Sequence, residues 1–170
     1  MEESANGWRV WLRRVVIGRN PSRTLVRTMA LMVVSVVVFH FVLLPIQVEG
    51  ISMLPTYRDH GVHFVNRLAY VFHEPQRGDV IAIRYSGIHM MLMKRVVALP
   101  GERVAFHGGH LYINGKPLEE PYVKRCNWEF EAGEMKPDMY YVVGDNRSMP
   151  EADHTKGGAW RYRIVGKVIL

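Results

Sequence analysis

Cysteine is all but missing from this sequence: Cys126 is the single one in 170 residues. One thiol cannot close an internal disulfide, and no cysteine-based zinc pattern can be assembled around it. Compositional bias is missing too. With 15 glycines, 9 prolines and 48% hydrophobic residues, the chain is neither disordered nor collagenous. Charge is missing locally: Thr28 to Val48 holds no Asp, Glu, Lys or Arg. The excess behind the net charge of +6 lies mostly ahead of that stretch, where six arginines face two glutamates in residues 1–27. Residues 49–170 balance 16 basic against 14 acidic side chains. That balance argues against nucleic acid as a partner of the larger part, and the basic segment suits anionic lipid.

The uncharged stretch is 21 residues long. As a helix it reaches about 32 Å, enough to cross a hydrocarbon core. A cleaved leader has a shorter apolar region, usually about 7–15 residues, followed by a small-x-small cleavage site. Here Pro45-Ile46-Gln47-Val48-Glu49 follows instead. The reading is an uncleaved transmembrane anchor over 28–48. The preceding arginines orient it with the N-terminus in the cytoplasm. Trp8, Trp11, Leu12, Val15 and Val16 recur at helical spacing between arginines, which predicts a basic amphipathic segment over 1–27. Asn20 and Pro21 read as the start of a second helix. Residues 49–170 are then extracytoplasmic, and the protein spans the plasma (inner) membrane once.

Beyond residue 50 the pattern is β. Val62-His63-Phe64-Val65, Asp79 to Tyr85, Met90 to Leu99, Met139 to Val143 and Ile164 to Leu170 are short runs rich in β-branched and apolar residues. Arg103-Val104-Ala105-Phe106 and Leu111-Tyr112-Ile113 flank Gly108-Gly109, a hairpin signal, and Asn114-Gly115 turns the chain again. No long amphipathic helix and no repeat follow the anchor. The fold class expected is an all-β domain of short hairpins preceded by one N-terminal transmembrane α-helix.

Three segments carry possible chemistry. Ser52 lies in Gly50-Ile51-Ser52-Met53-Leu54-Pro55-Thr56, where a turn serine is the ordinary reading. Lys94 sits in the apolar run Met90 to Leu99, and strand alternation puts it on the face of Leu92 and Val96. Either it snorkels at a strand end, or it is a buried amine whose charged form is desolvated and whose pKa falls. Serine is a weak nucleophile that needs such a base. The third segment, Gly144 to Thr155, is a polar turn-rich loop in which a local Asp–Arg pair is the plain expectation.

Taken in order, these segments resemble the type I signal peptidases, the membrane-bound Ser-Lys leader peptidases. Pro45 to Val48 with Gly50 to Thr56 is similar to the serine motif of that family. Arg77-Gly78-Asp79-Val80-Ile81 resembles its second strand motif, Lys94 to Glu102 its lysine motif, and Gly144-Asp145-Asn146-Arg147 the start of its last motif. The resemblance implies a signal-peptidase-like β fold that cleaves signal peptides from exported precursors through an acyl-enzyme. Ser52 would be the nucleophile and neutral Lys94 the general base. It implies Gly50 and Met53 near the oxyanion, with Arg95, Asp145, Arg147 and Asp153 as polar support. Val48, Leu54 and Met93, beside the serine and lysine, are expected to line substrate pockets. Partners would be signal-peptide-bearing precursors, the lipid bilayer and, as a further candidate, the secretion translocon. A specialised relative that matures one exported or conjugation substrate, and an inactive module that only binds precursors, are the alternatives.

Two departures stand out. The position two before Ser52, where many relatives carry a hydroxyl donor, is Gly50. The last motif continues as Pro150-Glu151-Ala152-Asp153-His154-Thr155, so the serine that bonds the lysine amine in the family has no clear counterpart. Glu151, His154 and Asp145 are left as candidates to orient Lys94, although a carboxylate close by would raise its pKa and oppose the base role. The pairs His60/His63 and His107/His110 invite a metal reading. Residues three apart on one strand face opposite sides, and neither metal nor cofactor is expected.

Overall fold

The computed structural model describes residues 20–86, 90–123 and 126–169. It divides into two compact units that meet in sequence at Phe41 and Val42. The predicted amphipathic pattern around Trp8 and Trp11 lies outside the described residues.

In the first unit, α1 (Pro21–Val37) begins after Asn20, with Pro21 in the first turn. Proline suits that position because its missing N–H would be unpaired there anyway. The helix widens into a π turn over Val38–Val42. Leu25, Met29, Leu31, Met32, Val33, Val34 and Val36 are all exposed. Pro21–Val42 is 22 residues long with mean hydropathy 2.2, long and apolar enough to cross a membrane. The expected boundaries therefore shift. The span was expected over 28–48, but the helix begins at Pro21, and Leu43–Gln47 leaves it to form strand β1. Apolar composition is the same for a span and for a strand with apolar neighbours, so the run alone did not mark the change. Pro45 is tolerated because β1 is a sheet-edge strand, where a missing N–H disrupts no second ladder.

The second unit is β, with all strands antiparallel. One sheet has seven strands: β1, β2 (Val62–Asn66), β11 (Ile164–Ile169), β3 (Val80–Ser86), β4 (Met90–Ala98), β9 (Met139–Val143) and β10 (Gly157–Trp160), in that spatial order. The other has four: β7 (Lys116–Pro117), β6 (His110–Ile113), β5 (Arg103–His107) and β8 (Phe130–Glu134). The Gly108-Gly109 turn joins β5 to β6, with φ of 56° and 78°. Asn114-Gly115 repeats the form at 52° and 76°. Left-handed geometry at both central residues matches the twist of a hairpin. Three strands carried no clear signal: β7 and β8 are short or polar, and Gly157-Gly158 opens β10.

Val97, Ala98, Tyr141 and Val143 from the larger sheet pack on Val104, Phe106 and Leu111 from the smaller one and on Trp128. A second apolar cluster contains Val48, Met53, Val65, Val80, Ala82, Met93 and Val168. It ties the segment around Ser52 to the sheet that carries Lys94.

Register decides the edges near Lys94. β4 pairs with β3 from Met90 to Arg95, with Ile81 opposite Lys94 and Val80 opposite Arg95. On its other side it pairs with β9 only from Arg95 onward, starting at Arg95 opposite Val143. Among the described residues, Met91–Lys94 thus has one free backbone edge. The outer edge of β1 is free as well.

Candidate active site

Ser52 lies in the turn that follows β1. The segment is held by backbone bonds from His60 N–H to the Val48 carbonyl at 2.8 Å and from Val48 N–H to the Gly61 carbonyl at 2.9 Å. Gly50 adopts φ of +104°, a conformation few side chains tolerate, and its N–H donates to Asp59 Oδ1 at 2.7 Å. The Gly144-Asp145-Asn146 loop clamps the turn from the other side. Asn146 N–H donates to the Ser52 carbonyl at 2.9 Å, and Asn146 Nδ2 donates to the Ile51 carbonyl at 3.0 Å. The approach is so close that a Cβ on Gly144 would stand 2.2 Å from the Ser52 carbonyl oxygen. Among the described residues the Ser52 N–H makes no hydrogen bond, so it is available to an oxyanion.

Lys94 reaches this turn from β4. Its Nζ lies 2.5 Å from Ser52 Oγ in a hydrogen bond. Lys94 is 3% exposed, and loss of hydration pulls its pKa from 10.5 down to about 8, against a smaller opposing pull from Asp145. A large share of the amine is therefore neutral near pH 8, with a lone pair to offer the hydroxyl proton.

Asp145 is kept from acting strongly on Lys94 because its charge is matched elsewhere. Arg95 donates to it twice, from Nε at 2.8 Å and Nη2 at 2.6 Å, and Thr56 Oγ1 donates at 2.6 Å. Arg95 also bonds the Gly78 carbonyl at 2.8 Å and lies 4.0 Å from the centre of the Tyr122 ring. Arg147 is buried and has a different partner from the one expected. It donates to Glu120 from Nη1 at 3.1 Å and Nη2 at 2.6 Å, and to the Gly144 carbonyl at 2.7 Å. The local Asp145–Arg147 pair is thus replaced by two long-range ion pairs, Asp145–Arg95 and Arg147–Glu120.

A groove of about 530 Å³ runs beside the dyad, lined by Pro45 to Glu49, Ser52, Met53 and Met91 to Lys94. Val48, Met53 and Met93 are in its wall. Leu54 is not: it faces a separate hollow with Pro55, Asp145 and Asn146, because the chain turns between Met53 and Leu54. Asp153 departs from its expected place too. It is exposed, in a short 3-10 turn over Glu151–Asp153, so it is not part of the support beneath the dyad. The residue after it, His154, is the one that turns inward.

Sequence reasoning assigned no role to Thr56, Glu120 or Tyr122. Thr56 stood inside the serine motif and could have been noticed. Glu120 and Tyr122 carry no local signal. The histidine pairs resolve differently from each other. His107 and His110 face each other across the β5–β6 hairpin rather than lying on one strand, and His107 Nδ1 is 2.9 Å from Glu129 Oε1. His63 packs edge-on against Tyr57. Among the described residues no three His, Cys, Asp or Glu side chains gather as a metal site would require.

A serine hydroxyl against a desolvated amine, with a free backbone N–H and a groove with two free strand edges, is equipped for acyl transfer to serine. The chain is similar to known peptidases. The family described as signal peptidase, peptidase S26, matches residues 22–169. The chain is 33% identical over 128 residues to signal peptidase I of Leptolyngbya laminosa, covering 70% of this chain and 63% of that protein. It is 36% identical over 124 residues to signal peptidase I T of Bacillus subtilis, covering 66% of this chain and 64% of that protein. The chain spans less than two thirds of the length of these relatives. A crystal structure of a signal peptidase I from Enterococcus faecalis aligns with TM-score 0.48 at 29% identity, over 56% of this chain and 97% of that one. With the match running through almost the whole length, the chain belongs to the signal peptidase family, peptidase S26.

Proposed function

We propose that this chain is a membrane-anchored serine endopeptidase that removes signal peptides from exported precursors, with Ser52 as nucleophile and Lys94 as general base. The observation that carries the reading is the 2.5 Å contact between Lys94 Nζ and Ser52 Oγ, made by an amine that burial holds near neutrality. The precursor adds as an extended strand in the groove, hydrogen-bonding the free edge of Met91–Lys94 and lying along β1. Lys94 accepts the Ser52 proton as Oγ attacks the scissile carbonyl, and the Ser52 N–H stabilises the oxyanion. Lys94 then passes the proton to the leaving amine. In the second half neutral Lys94 takes a proton from water as its oxygen attacks the acyl carbonyl, and gives that proton to Ser52 Oγ as the ester bond breaks. Gly50 adds no side-chain donor. Val48, Met53 and Met93 narrow the groove and select small side chains before the cut.

Membrane placement follows from α1. Its apolar exposed surface belongs in lipid, the basic N-terminal segment lies on the cytoplasmic side, and the β unit meets precursors outside, as a secretion translocon delivers them. The deciding experiment is cleavage of a signal-peptide substrate in detergent by wild type and Ser52→Ala. The substitution removes one hydroxyl and should lower kcat at least about 1000-fold while the fold persists. Substantial cleavage by Ser52→Ala would overturn the assignment.

A further inference from the structure

His154 is the buried group at this site that the mechanism above does not use. It is 3% exposed, and among the described residues neither ring nitrogen has a hydrogen-bond partner. The Thr155 backbone lies close enough to favour the protonated ring without completing a hydrogen bond. A buried imidazole left unpaired costs about 1–3 kcal/mol per orphaned group, so such a ring calls for a partner.

Its position says which one. The Cε1–Nε2 edge lies 2.8 Å from the point where a Cβ on Gly144 would stand, and the Ser52 carbonyl oxygen lies 2.2 Å from the same point. The ring edge and the Ser52 backbone are thus at most about 5 Å apart by the same distances. Trp128 holds the ring from the opposite side, edge-on at 4.9 Å between centroids. Lys94 is close enough for its charge to act on the ring, as do the charges of Arg147 and Lys156. Burial first, and then the neighbouring positive charges, push the His154 pKa down to about 4, so the ring is neutral wherever Lys94 works.

The amine has the complementary need. A neutral lysine offers two N–H donors and one lone pair. Among the described residues, Ser52 Oγ is the single hydrogen-bond partner of Lys94 Nζ. Contact with Ser52 alone leaves rotation about the Cε–Nζ bond free, and a base whose lone pair wanders from the hydroxyl proton is a poor base. Asp145, the carboxylate whose charge acts on Lys94, is already taken by Arg95 and Thr56.

We propose that His154 is a positioning residue for Lys94: its neutral ring accepts, through one bridging water, a hydrogen bond from the amine and so keeps the lone pair aimed at Ser52 Oγ. A neutral acceptor suits this task better than a carboxylate, which would stabilise the ammonium and silence the base. Burial, with the lasting charges of Arg147 and Lys156, keeps the ring neutral even when Lys94 has lost its proton, so it is a safe neighbour for Lys94. The inference rests on the Ser52–Lys94 assignment.

The test compares full-length wild type, His154→Leu, His154→Gln and, as a control, Ser52→Ala, all in detergent micelles with a signal-peptide substrate. His154→Leu should lower kcat roughly 10- to 100-fold with KM changed less than about threefold. Its acid limb should stay in place or move to lower pH, because an apolar neighbour disfavours the ammonium further. His154→Gln restores an acceptor and should recover at least about fivefold over His154→Leu. Three results would overturn the proposal. The first is a His154→Leu kcat within about twofold of wild type. The second is no recovery in His154→Gln. The third is an acid limb that climbs toward 10, which would mean that the ring merely keeps water away from Lys94. Activity in Ser52→Ala would instead overturn the dyad, so the two failures are distinguishable.

Discussion

Replacing Lys94 with methionine separates the energetic cost of burying the amine from its use in catalysis. The two side chains have nearly the same volume, and the site is 3% exposed, so the main change is loss of a polar, titratable end. Lowering the amine pKa from 10.5 to about 8 corresponds to about 3 kcal/mol against the charged form. The sign follows from proton counting. Between pH 8 and 10.5 the unfolded chain holds a proton that the folded chain has released, so wild-type stability rises with pH across that window and is lowest below it. Lys94→Met is free of this term. Below pH 8 it should be more stable than wild type by about 3 kcal/mol, and the advantage should shrink by about 1.4 kcal/mol per pH unit between 8 and 10.5. Urea unfolding of both full-length chains in the same detergent at pH 7, 9 and 10, followed by tryptophan fluorescence, measures the difference. The same samples should cleave no substrate. A stability difference that does not change with pH, or a Met variant less stable than wild type at pH 7, would refute the buried-amine argument. Retained cleavage would remove Lys94 as the base.

Two further outcomes follow from the packing around the dyad. Gly144→Ala puts a methyl group 2.2 Å from the Ser52 carbonyl oxygen and 2.8 Å from His154 Nε2. The nucleophile turn must move, and kcat/KM should fall about 100-fold. Wild-type turnover in this variant would mean that the loop does not set the serine's position. Asp145→Asn leaves Arg95, whose side chain is 12% exposed, without its carboxylate, and thermal unfolding should report a loss of about 3–5 kcal/mol. Asp145 is also the charge that raises the Lys94 pKa, so the acid limb of the remaining activity should move to lower pH, and a move upward would refute that coupling.

The sequence by itself determined the local features. A run without charge marked the membrane segment, though its ends shifted because Leu43–Gln47 is apolar in either role. Period-two patterns and glycine-bearing turns marked β2 to β6, β9 and β11, since a strand's alternation and a hairpin's positive φ are properties of a few neighbouring residues. Ser52 and Lys94 were legible as motifs because each sits in a short stretch with its own signature. Tertiary structure alone decided the partners. Arg147 pairs with Glu120 rather than Asp145, Thr56 serves Asp145 across 89 residues, and Leu54 turns away from the groove that Val48, Met53 and Met93 line. The last motif shows the division most clearly. The resemblance implied Asp153 as support beneath the dyad, yet it is exposed and its neighbour His154 is buried against Trp128. Residues 151–153 form a short 3-10 turn, and a change of one residue in such a turn exchanges which side chain faces inward. That choice depends on the shape of the cavity left by other strands, and a pairing that costs little locally is selected only by the sheet around it.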